Sequence, residues 1–154
     1  MGRKLQRELL EENRVLLDTS FLLPYVGLRV EGIDEEVIEW LENLDLYYPY
    51  IMIPELIGVV FKVAKKKGLS IVPENALEGF NFIVYGENIH LISPIKQDLE
   101  IAYELIMMGL RDIFDAILYA TSKRTGIKAI TADKSLIKFI KENNLETNNL
   151  ILIQ

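Results

Sequence analysis

The sequence contains no cysteine and only one histidine in 154 residues. Without cysteine, the chain has neither a disulfide framework nor a thiolate nucleophile. The single histidine, His90, lies in a predicted strand, so a histidine metal site or a Ser-His-Asp triad has almost no support. No apolar run approaches the roughly 18 residues that span a bilayer, and the charged N terminus lacks the apolar core of a signal peptide. We therefore expect a soluble cytoplasmic protein.

Basic residues are in the minority, with 17 Lys and Arg against 23 Asp and Glu and a net charge of −6. This balance argues against a broad basic surface for duplex nucleic acid. It does not exclude a metal-dependent enzyme acting on nucleic acid, because clustered site carboxylates lower the net charge themselves. Hydrophobic residues make up 50% of the chain, which excludes a disordered protein and suits one α/β domain with a buried sheet.

Short apolar runs of strand length alternate along the chain with longer segments of helical spacing. The alternation indicates a mostly parallel sheet covered by helices on both faces, within a single domain at residues 1–154. A charged helix at residues 3–13, with Leu5, Leu9 and Leu10 on one side, is expected as an N-terminal extension. The strands are predicted at residues 14–18, 51–53, 89–92, 128–131 and 150–153, and the helices at residues 21–27, 33–44, 54–68, 73–86, 97–109, 111–126 and 134–144.

Carboxylates stand at or near the places where predicted strands end. Asp18 ends the first strand, Glu55 follows the second by two residues, and Asp133 follows the fourth by two. Asp115 lies in a helix that is apolar nearly all round, where an unpartnered carboxylate is costly, and Asp112 is one turn earlier on the same face. Because the carboxyl ends of parallel strands meet at one edge of a sheet, we expect these five acids to converge.

Two interpretations of the acids remain at this point. Crowded carboxylates raise one another's pKa unless a cation neutralises them, and a site of oxygen ligands without His or Cys suits Mg²⁺ or Mn²⁺. Such ions activate water and stabilise charge on a phosphodiester. Alternatively, Asp18, Asp112 and Asp133 cap helices, and Glu55 complements a helix dipole. Asp115 fits the structural interpretation least well. Because acids recur at the ends of several predicted strands, a metal site is favoured over separate structural roles.

Three segments resemble motifs of the PIN-domain ribonucleases. They are LLDTSFLL at residues 16–23, FDAILYA at 114–120 and ITAD at 130–133, and the order of elements is similar to that of the family over residues 14–153. The resemblance implies a three-layer α/β/α sandwich that binds Mg²⁺ or Mn²⁺. The first, third and fourth family acids correspond to Asp18, Asp115 and Asp133.

The resemblance also implies supporting hydroxyl groups, and it is incomplete at the second acid. Thr131 corresponds to the hydroxyl residue before the fourth acid, and Thr19 or Ser20 to the one beside the first. Family members commonly carry a Glu in the helix after the second strand, several residues beyond a proline like Pro54. The turn at that place contains only Val59 and Val60, so we expect Glu55, one turn earlier on the same face, to substitute with a smaller contribution.

In function, the resemblance implies an endoribonuclease that cleaves single-stranded RNA, either as the toxin of a toxin-antitoxin pair held by an antitoxin protein or as an RNA-processing nuclease. It also implies a homodimer. A PIN-fold module that binds RNA or a protein without cutting is the alternative. Aspartyl phosphotransfer fits poorly, because a dehalogenase-like phosphatase needs a second Asp two residues after Asp18, where Ser20 stands. A response-regulator receiver needs an acidic pair near the first strand, and only scattered acids precede Asp18.

Two further groups have both a structural and a functional interpretation. The densest basic cluster either lies at the solvated end of a helix, where it complements the helix dipole, or positions phosphates beside the active site. It consists of Lys62, Lys65, Lys66 and Lys67. A set of aromatic residues either packs in the core or stacks on RNA bases; it consists of Trp40, Tyr47, Tyr48 and Tyr50.

Overall fold

The structure is a computed structural model that describes residues 11–153. The helix expected at residues 3–13 lies outside the described residues except for its last three, which form a turn and a bend rather than a helix. The five strands are β1 (Arg14–Leu17), β2 (Asp45–Pro49), β3 (Ile89–Ile92), β4 (Ala129–Thr131) and β5 (Leu150–Leu152).

Six α helices connect or follow these strands within residues 11–153. They are α1 (Glu35–Leu41), α2 (Ile53–Lys66), α3 (Glu74–Tyr85), α4 (Lys96–Met107), α5 (Ile113–Thr125) and α6 (Lys134–Glu142). The segment predicted as helical at residues 21–27 instead forms short 3-10 turns, and a third such turn precedes α2. These turns are Thr19–Phe21, Leu23–Val26 and Tyr50–Met52.

The strands form one sheet in the order β3-β2-β1-β4-β5, and every pairing is parallel. This confirms the predicted α/β class, the three-layer sandwich and the inner position of β1. Parallel neighbours need crossover connections, which the helices supply. Because all strands point the same way, their carboxyl ends lie along one edge of the sheet, and the order places β1 between β2 and β4 there.

The second strand is the largest error of the sequence-based prediction. Residues 51–53 were expected to form it, but β2 is Asp45–Pro49, and residues 50–52 are a 3-10 turn leading into α2. The apolar run at 51–53 completes this 3-10 turn and begins α2. Its buried side is formed by Met52 and, one turn later, Leu56, both at most 1% exposed. A short apolar run fits either kind of element, so its pattern alone does not decide between them.

The core lies where the helices cover the sheet. Val15, Leu16 and Leu17 of β1 are at most 1% exposed, as expected for a central parallel strand whose two faces are both covered. Seven consecutive residues of α5, from Ala116 to Ser122, are buried, so this helix is tightly enclosed just beyond Asp115. Within residues 11–153, none of the helices has the length and apolar composition needed to cross a membrane.

Candidate active site at the carboxyl edge of the sheet

Asp18 is held at the edge of the sheet by its neighbours on β4. Its backbone N–H donates to the carbonyl of Ile130 at 3.1 Å, which continues the strand ladder one residue beyond β1. The Thr131 hydroxyl donates to Asp18 Oδ2 at 2.9 Å. The side chain is buried, and burial is the main reason why the pKa of Asp18 is raised, against the lowering effect of the Thr131 hydrogen bond.

Thr131 also fixes the loop that carries Asp133. Its hydroxyl oxygen accepts from the Asp133 backbone N–H at 3.0 Å while its proton goes to Asp18. The Asp133 carboxylate caps α6, accepting from the backbone N–H of Ser135 at 2.7 Å and from its hydroxyl at 2.6 Å. Both contacts use Oδ1, so the capping role expected of Asp133 is present. Its charge nevertheless reaches the other acids, because it raises the pKa of both Asp18 and Asp115.

Asp112 is the N-cap of α5, as the structural interpretation predicted. Its Oδ1 accepts from the backbone N–H of Phe114 at 2.8 Å and more weakly from that of Asp115 at 3.4 Å. The cap begins the helix at Ile113, so that Asp115 stands in its first turn. Asp112 therefore positions Asp115 and adds negative charge beside it.

Asp115 is the centre of the acidic cluster. Its pKa is raised to about 8, first by burial and then by the charges of Asp112, Asp18, Asp133 and Glu55. All four of the other predicted acids are thus close enough to act on this one carboxyl group. The structure brings together residues that are up to 115 positions apart in the sequence, from Asp18 to Asp133.

Glu55 reaches the cluster from the other side of β1. It stands in the first turn of α2, and it is the sixth residue after Pro49, which ends β2. Its pKa is raised to about 7, mainly by burial; a side-chain hydrogen bond with Thr19 lowers it, and the charges of Asp18 and Asp112 raise it. Pro49, which ends β2, lies six residues before Glu55, and Pro54 directly precedes it.

Thr19 and Ser20 differ in their surroundings. Thr19 is buried, and its Oγ1 lies 2.8 Å from the hydroxyl of Tyr48, which also donates to the Met52 carbonyl at 2.8 Å. Ser20 is half-buried, and its backbone lowers the pKa of Asp18 through a hydrogen bond. Sequence reasoning placed Tyr48 in the core and did not connect it with the acids. No local sequence signal connects them, because Tyr48 and Thr19 are 29 residues apart.

The carboxylate and hydroxyl groups of the site suit a hard divalent cation, although the acids do not form a coordination shell as they stand. Every candidate group is an oxygen donor, and the mutual raising of pKa values identifies the uncompensated negative charge that a cation would relieve. No group of three or more His, Cys, Asp or Glu side chains in the described part of the chain is close enough to hold an ion as it stands. The residues fit the chemistry of Mg²⁺ or Mn²⁺ by their oxygen donors and their uncompensated charge.

The lysine cluster does not lie beside the acids. Glu55 is in the first turn of α2, while the lysines follow it by seven to twelve residues. At about 1.5 Å of rise per residue, they stand about 10 to 18 Å further along the helix axis. The solvated helix end expected as their structural interpretation describes them better. They are Lys62, Lys65, Lys66 and Lys67.

The aromatic residues separate into core and surface. Tyr48 is fully buried, and Tyr47 stacks at a tilt against His90, with 4.9 Å between ring centroids. Trp40 is half-buried against the core. Tyr50 alone among the four is exposed, at 55%. The expectation of core packing is therefore correct for three of them.

The comparisons with known proteins agree with this fold. The PIN-domain family profile matches residues 15–141. No curated protein sequence matches the chain. Among solved structures, the chain is similar to a chain of a toxin-antitoxin complex from Klebsiella pneumoniae, with a TM-score of 0.58 and 18% sequence identity over 91% of this chain and 98% of that one. At this identity the likeness concerns the fold, whereas the profile covers most of the chain, so the protein belongs to the PIN-domain family.

Proposed function

We propose that the protein is a metal-dependent endoribonuclease that cleaves single-stranded RNA at the acidic cluster. The observation that carries the proposal is the convergence of Asp18, Glu55, Asp112 and Asp133 around Asp115, from four separate elements of the fold. Membership of the PIN-domain family, whose members are generally nucleases, supports the same chemistry. Structural caps alone do not explain Asp115, which is half-buried and accepts no hydrogen bond from another described residue.

In this proposal, Asp18 and Asp115 are the principal ligands of Mg²⁺ or Mn²⁺, and Asp133 helps to hold the ion or its water. When bound, the cation neutralises the crowded carboxylates and polarises the scissile phosphate. Thr131 orients Asp18 by donating to Oδ2. The pKa of Glu55 is raised to about 7, first by burial and then by the charges of Asp18 and Asp112, and a cation among these acids would favour its charged form.

Glu55 also takes the place of the second family acid in this proposal. It lies six residues beyond Pro49, in the helix after the second strand, where the resemblance implies the second acid. Its electrostatic contact with Asp18 and Asp112 puts it in the cluster. We therefore assign it a full role rather than the smaller contribution expected from the sequence.

Metal removal tests the proposal directly. Labelled single-stranded RNA should be cleaved at internal positions with Mn²⁺ or Mg²⁺, lose all cleavage in excess EDTA, and regain it when metal is returned. Duplex RNA and single-stranded DNA are the comparison substrates. Cleavage that continues undiminished in EDTA contradicts the mechanism. Binding of the RNA without cleavage in either metal would instead favour a PIN-fold module that holds RNA and does not cut it.

We also propose that the protein is the toxin of a toxin-antitoxin pair, restrained by an antitoxin protein. The support is the similar fold of a chain in a toxin-antitoxin complex. Induced expression should arrest growth of a bacterial host, and Asp18→Asn should relieve the arrest. The host should tolerate an RNA-processing nuclease. Continued growth of the host while the protein cleaves RNA therefore excludes the toxin role.

A homodimer is part of the same proposal, and an apolar stripe on α4 supports it. Leu99, Tyr103 and Met107 follow one another at intervals of four residues and are 50%, 64% and 69% exposed. An apolar stripe along one face of a helix favours burial against another surface. Light scattering should give twice the mass of one chain, and Tyr103→Glu should give the monomer. A wild-type monomer at high concentration excludes the dimer.

A further inference from the structure

The amino end of α2 lies at the acidic cluster. The Tyr48 hydroxyl is 2.8 Å from both Thr19 Oγ1 and the Met52 carbonyl oxygen. It thereby holds the residue before α2 beside the residue that follows Asp18. Glu55 stands in the first turn of the same helix. Because α2 has 14 residues, it extends for about 20 Å from the acids, and its exposed side chains line the way out of the cluster.

Two lysines share the face of α2 that carries Glu55. Lys62 and Lys66 follow Glu55 by seven and eleven residues, which at about 100° per residue leaves each within about 20° of it around the helix axis. They stand about 10 and 16 Å further along that axis. Both are exposed, and neither forms an ion pair with an acid of the described residues. Their charges are therefore available to an anion outside the chain.

The end of the helix explains only part of this arrangement. Lys65 and Lys66 lie in the last turn of α2, where basic side chains complement the helix dipole. Lys62 lies a turn earlier, where the effect of the dipole has fallen off. The Cα–Cβ bonds of a helix tilt towards its amino end, so the Lys62 side chain starts in the direction of Gly58, four residues earlier. The helix itself therefore gives Lys62 no partner.

Gly58 leaves this face open between Glu55 and Lys62. Glycine inside a helix is less favourable than alanine, so its presence needs a reason. Apart from the adjacent parts of the helix, no atom of the described residues lies within 4 Å of the place where a Cβ would stand. Gly79 differs, because a Cβ there would collide with the Tyr25 carbonyl. The gap at Gly58 is not used by the chain itself, and it allows a ligand to approach the helix closely.

We propose that single-stranded RNA held at the acidic cluster continues along this face of α2, over Gly58, with Lys62 and Lys66 neutralising two phosphates beyond the scissile one. The inference rests on the proposed function and names the path of its substrate. Backbone contacts of this kind position a strand without reading its bases. A narrow basic track fits a single strand, in keeping with a chain whose net charge of −6 argues against a broad basic surface.

The first measurement is the binding of labelled single-stranded RNA in the Asp18→Asn background, which should hold RNA without cutting it. Lys62→Gln and Lys66→Gln should each raise Kd about two- to fivefold, as the loss of one exposed charge pair does. Each should also reduce the dependence of log Kd on log salt concentration by about 0.7, the value for one phosphate of a single strand. Lys67→Gln is the matched control, because it removes the same charge from another side of α2, where Lys67 lines a cleft with Pro73. Lysine variants that bind RNA as this control does overturn the inference.

A conservative variant and the cleavage kinetics distinguish RNA contact from a structural role of Lys62. Lys62→Arg keeps the charge and should bind RNA like the wild type. In the active protein with Mn²⁺, Lys62→Gln should raise KM with kcat unchanged, because a phosphate away from the scissile one is bound equally in the ground state and the transition state. A fall in kcat at unchanged KM overturns the inference, and so does equal loss of binding in Lys62→Arg and Lys62→Gln.

Gly58→Gln tests the path itself. Glutamine favours the helix more than glycine does, and there is space for its Cβ, so the Tm should rise by about 2 °C. The same side chain would obstruct the strand, and it should raise Kd for the RNA more than Lys67→Gln does. Weaker binding by a more stable protein cannot result from damage to the fold. Wild-type affinity in Gly58→Gln overturns the inference.

These measurements separate the path of the RNA from the proposed chemistry. A wild type that binds RNA without cutting it, together with weaker binding in Lys62→Gln than in Lys67→Gln, rejects the ribonuclease and supports the path. Cleavage by the wild type with equal KM in these two variants rejects the path and leaves the ribonuclease in place. A protein that neither binds nor cleaves RNA rejects both.

Discussion

Replacing Asp18 with Asn should lower RNA cleavage by about a hundredfold or more, a loss of about 2.7 kcal/mol of transition-state stabilisation. Asparagine keeps the shape of the side chain but removes the negative charge that a cation needs. It also presents one acceptor atom where aspartate presents two. The asparagine side chain should remain buried beside Thr131, but it no longer supplies a carboxylate ligand.

The fold should survive this change. Burial raises the pKa of Asp18, so the native state already disfavours its charge, and a neutral side chain relieves that cost. The Thr131 hydroxyl can still donate to the amide oxygen. Circular dichroism and thermal unfolding of the metal-free protein should therefore match the wild type closely.

Asp45→Asn provides the control for the Asp18 variant. Asp45 is an exposed acid at the amino end of β2, on the opposite edge of the sheet from the cluster. Its replacement makes the same change in net charge and should leave cleavage within about threefold of the wild type. An Asp18→Asn variant that cleaves as fast as Asp45→Asn would remove the acidic cluster from the mechanism.

Much of the site could be predicted from the sequence because it depends on where strands end. β3 was predicted with its observed bounds, and β1, β4 and β5 within one residue. In a parallel sheet all carboxyl ends share one edge, so Asp18 and Asp133 follow from strand positions alone. Asp115 follows from a different signal, a carboxylate in an otherwise apolar helix. These inferences need no knowledge of side-chain contacts.

The errors come from information that local patterns do not carry. The run at residues 51–53 has the composition of a strand and became a helix start, because the tyrosine-rich segment at 45–49 pairs with both β1 and β3. Pairing depends on distant neighbours, which periodicity does not reveal. The expected place of the second acid was counted from Pro54, because the second strand was expected at residues 51–53. Tyr48 was missed for the same reason, since its partner Thr19 is 29 residues away.

Replacing Asp115 with Asn should abolish cleavage and also remove most of the stabilisation that metal gives to the wild type. A ligand that binds only the folded state stabilises it by about 2.7 kcal/mol at a hundredfold excess over its dissociation constant. In a chain of this length that corresponds to a rise in Tm of about 5 to 10 °C. Thermal unfolding with and without Mn²⁺ should show this rise in the wild type and in Asp45→Asn, but not in Asp115→Asn.

The pH dependence of the metal-free protein should change in the same variant. The pKa of Asp115 is raised from 3.8 to about 8 in the folded state, so the folded protein binds this proton more tightly than the unfolded chain does. Its contribution to stability is complete below about pH 4 and is lost as the pH rises towards about 8. The Tm of the wild type in EDTA should therefore fall between about pH 5 and about pH 8. Asp115→Asn should show a smaller fall, with the remainder due to Glu55, whose pKa is raised to about 7, and to Asp18, whose pKa burial also raises.

At about pH 8 without metal, Asp115→Asn should be at least as stable as the wild type, because a half-buried charge beside four other acids has been removed. The direction of this change in stability distinguishes a metal ligand from a structural carboxylate. A carboxylate that held the fold together through hydrogen bonds would leave unsatisfied donors when replaced, and the variant would be much less stable at every pH. The latter result would show that Asp115 serves the architecture of α5, and the assignment of the metal site would fail with it.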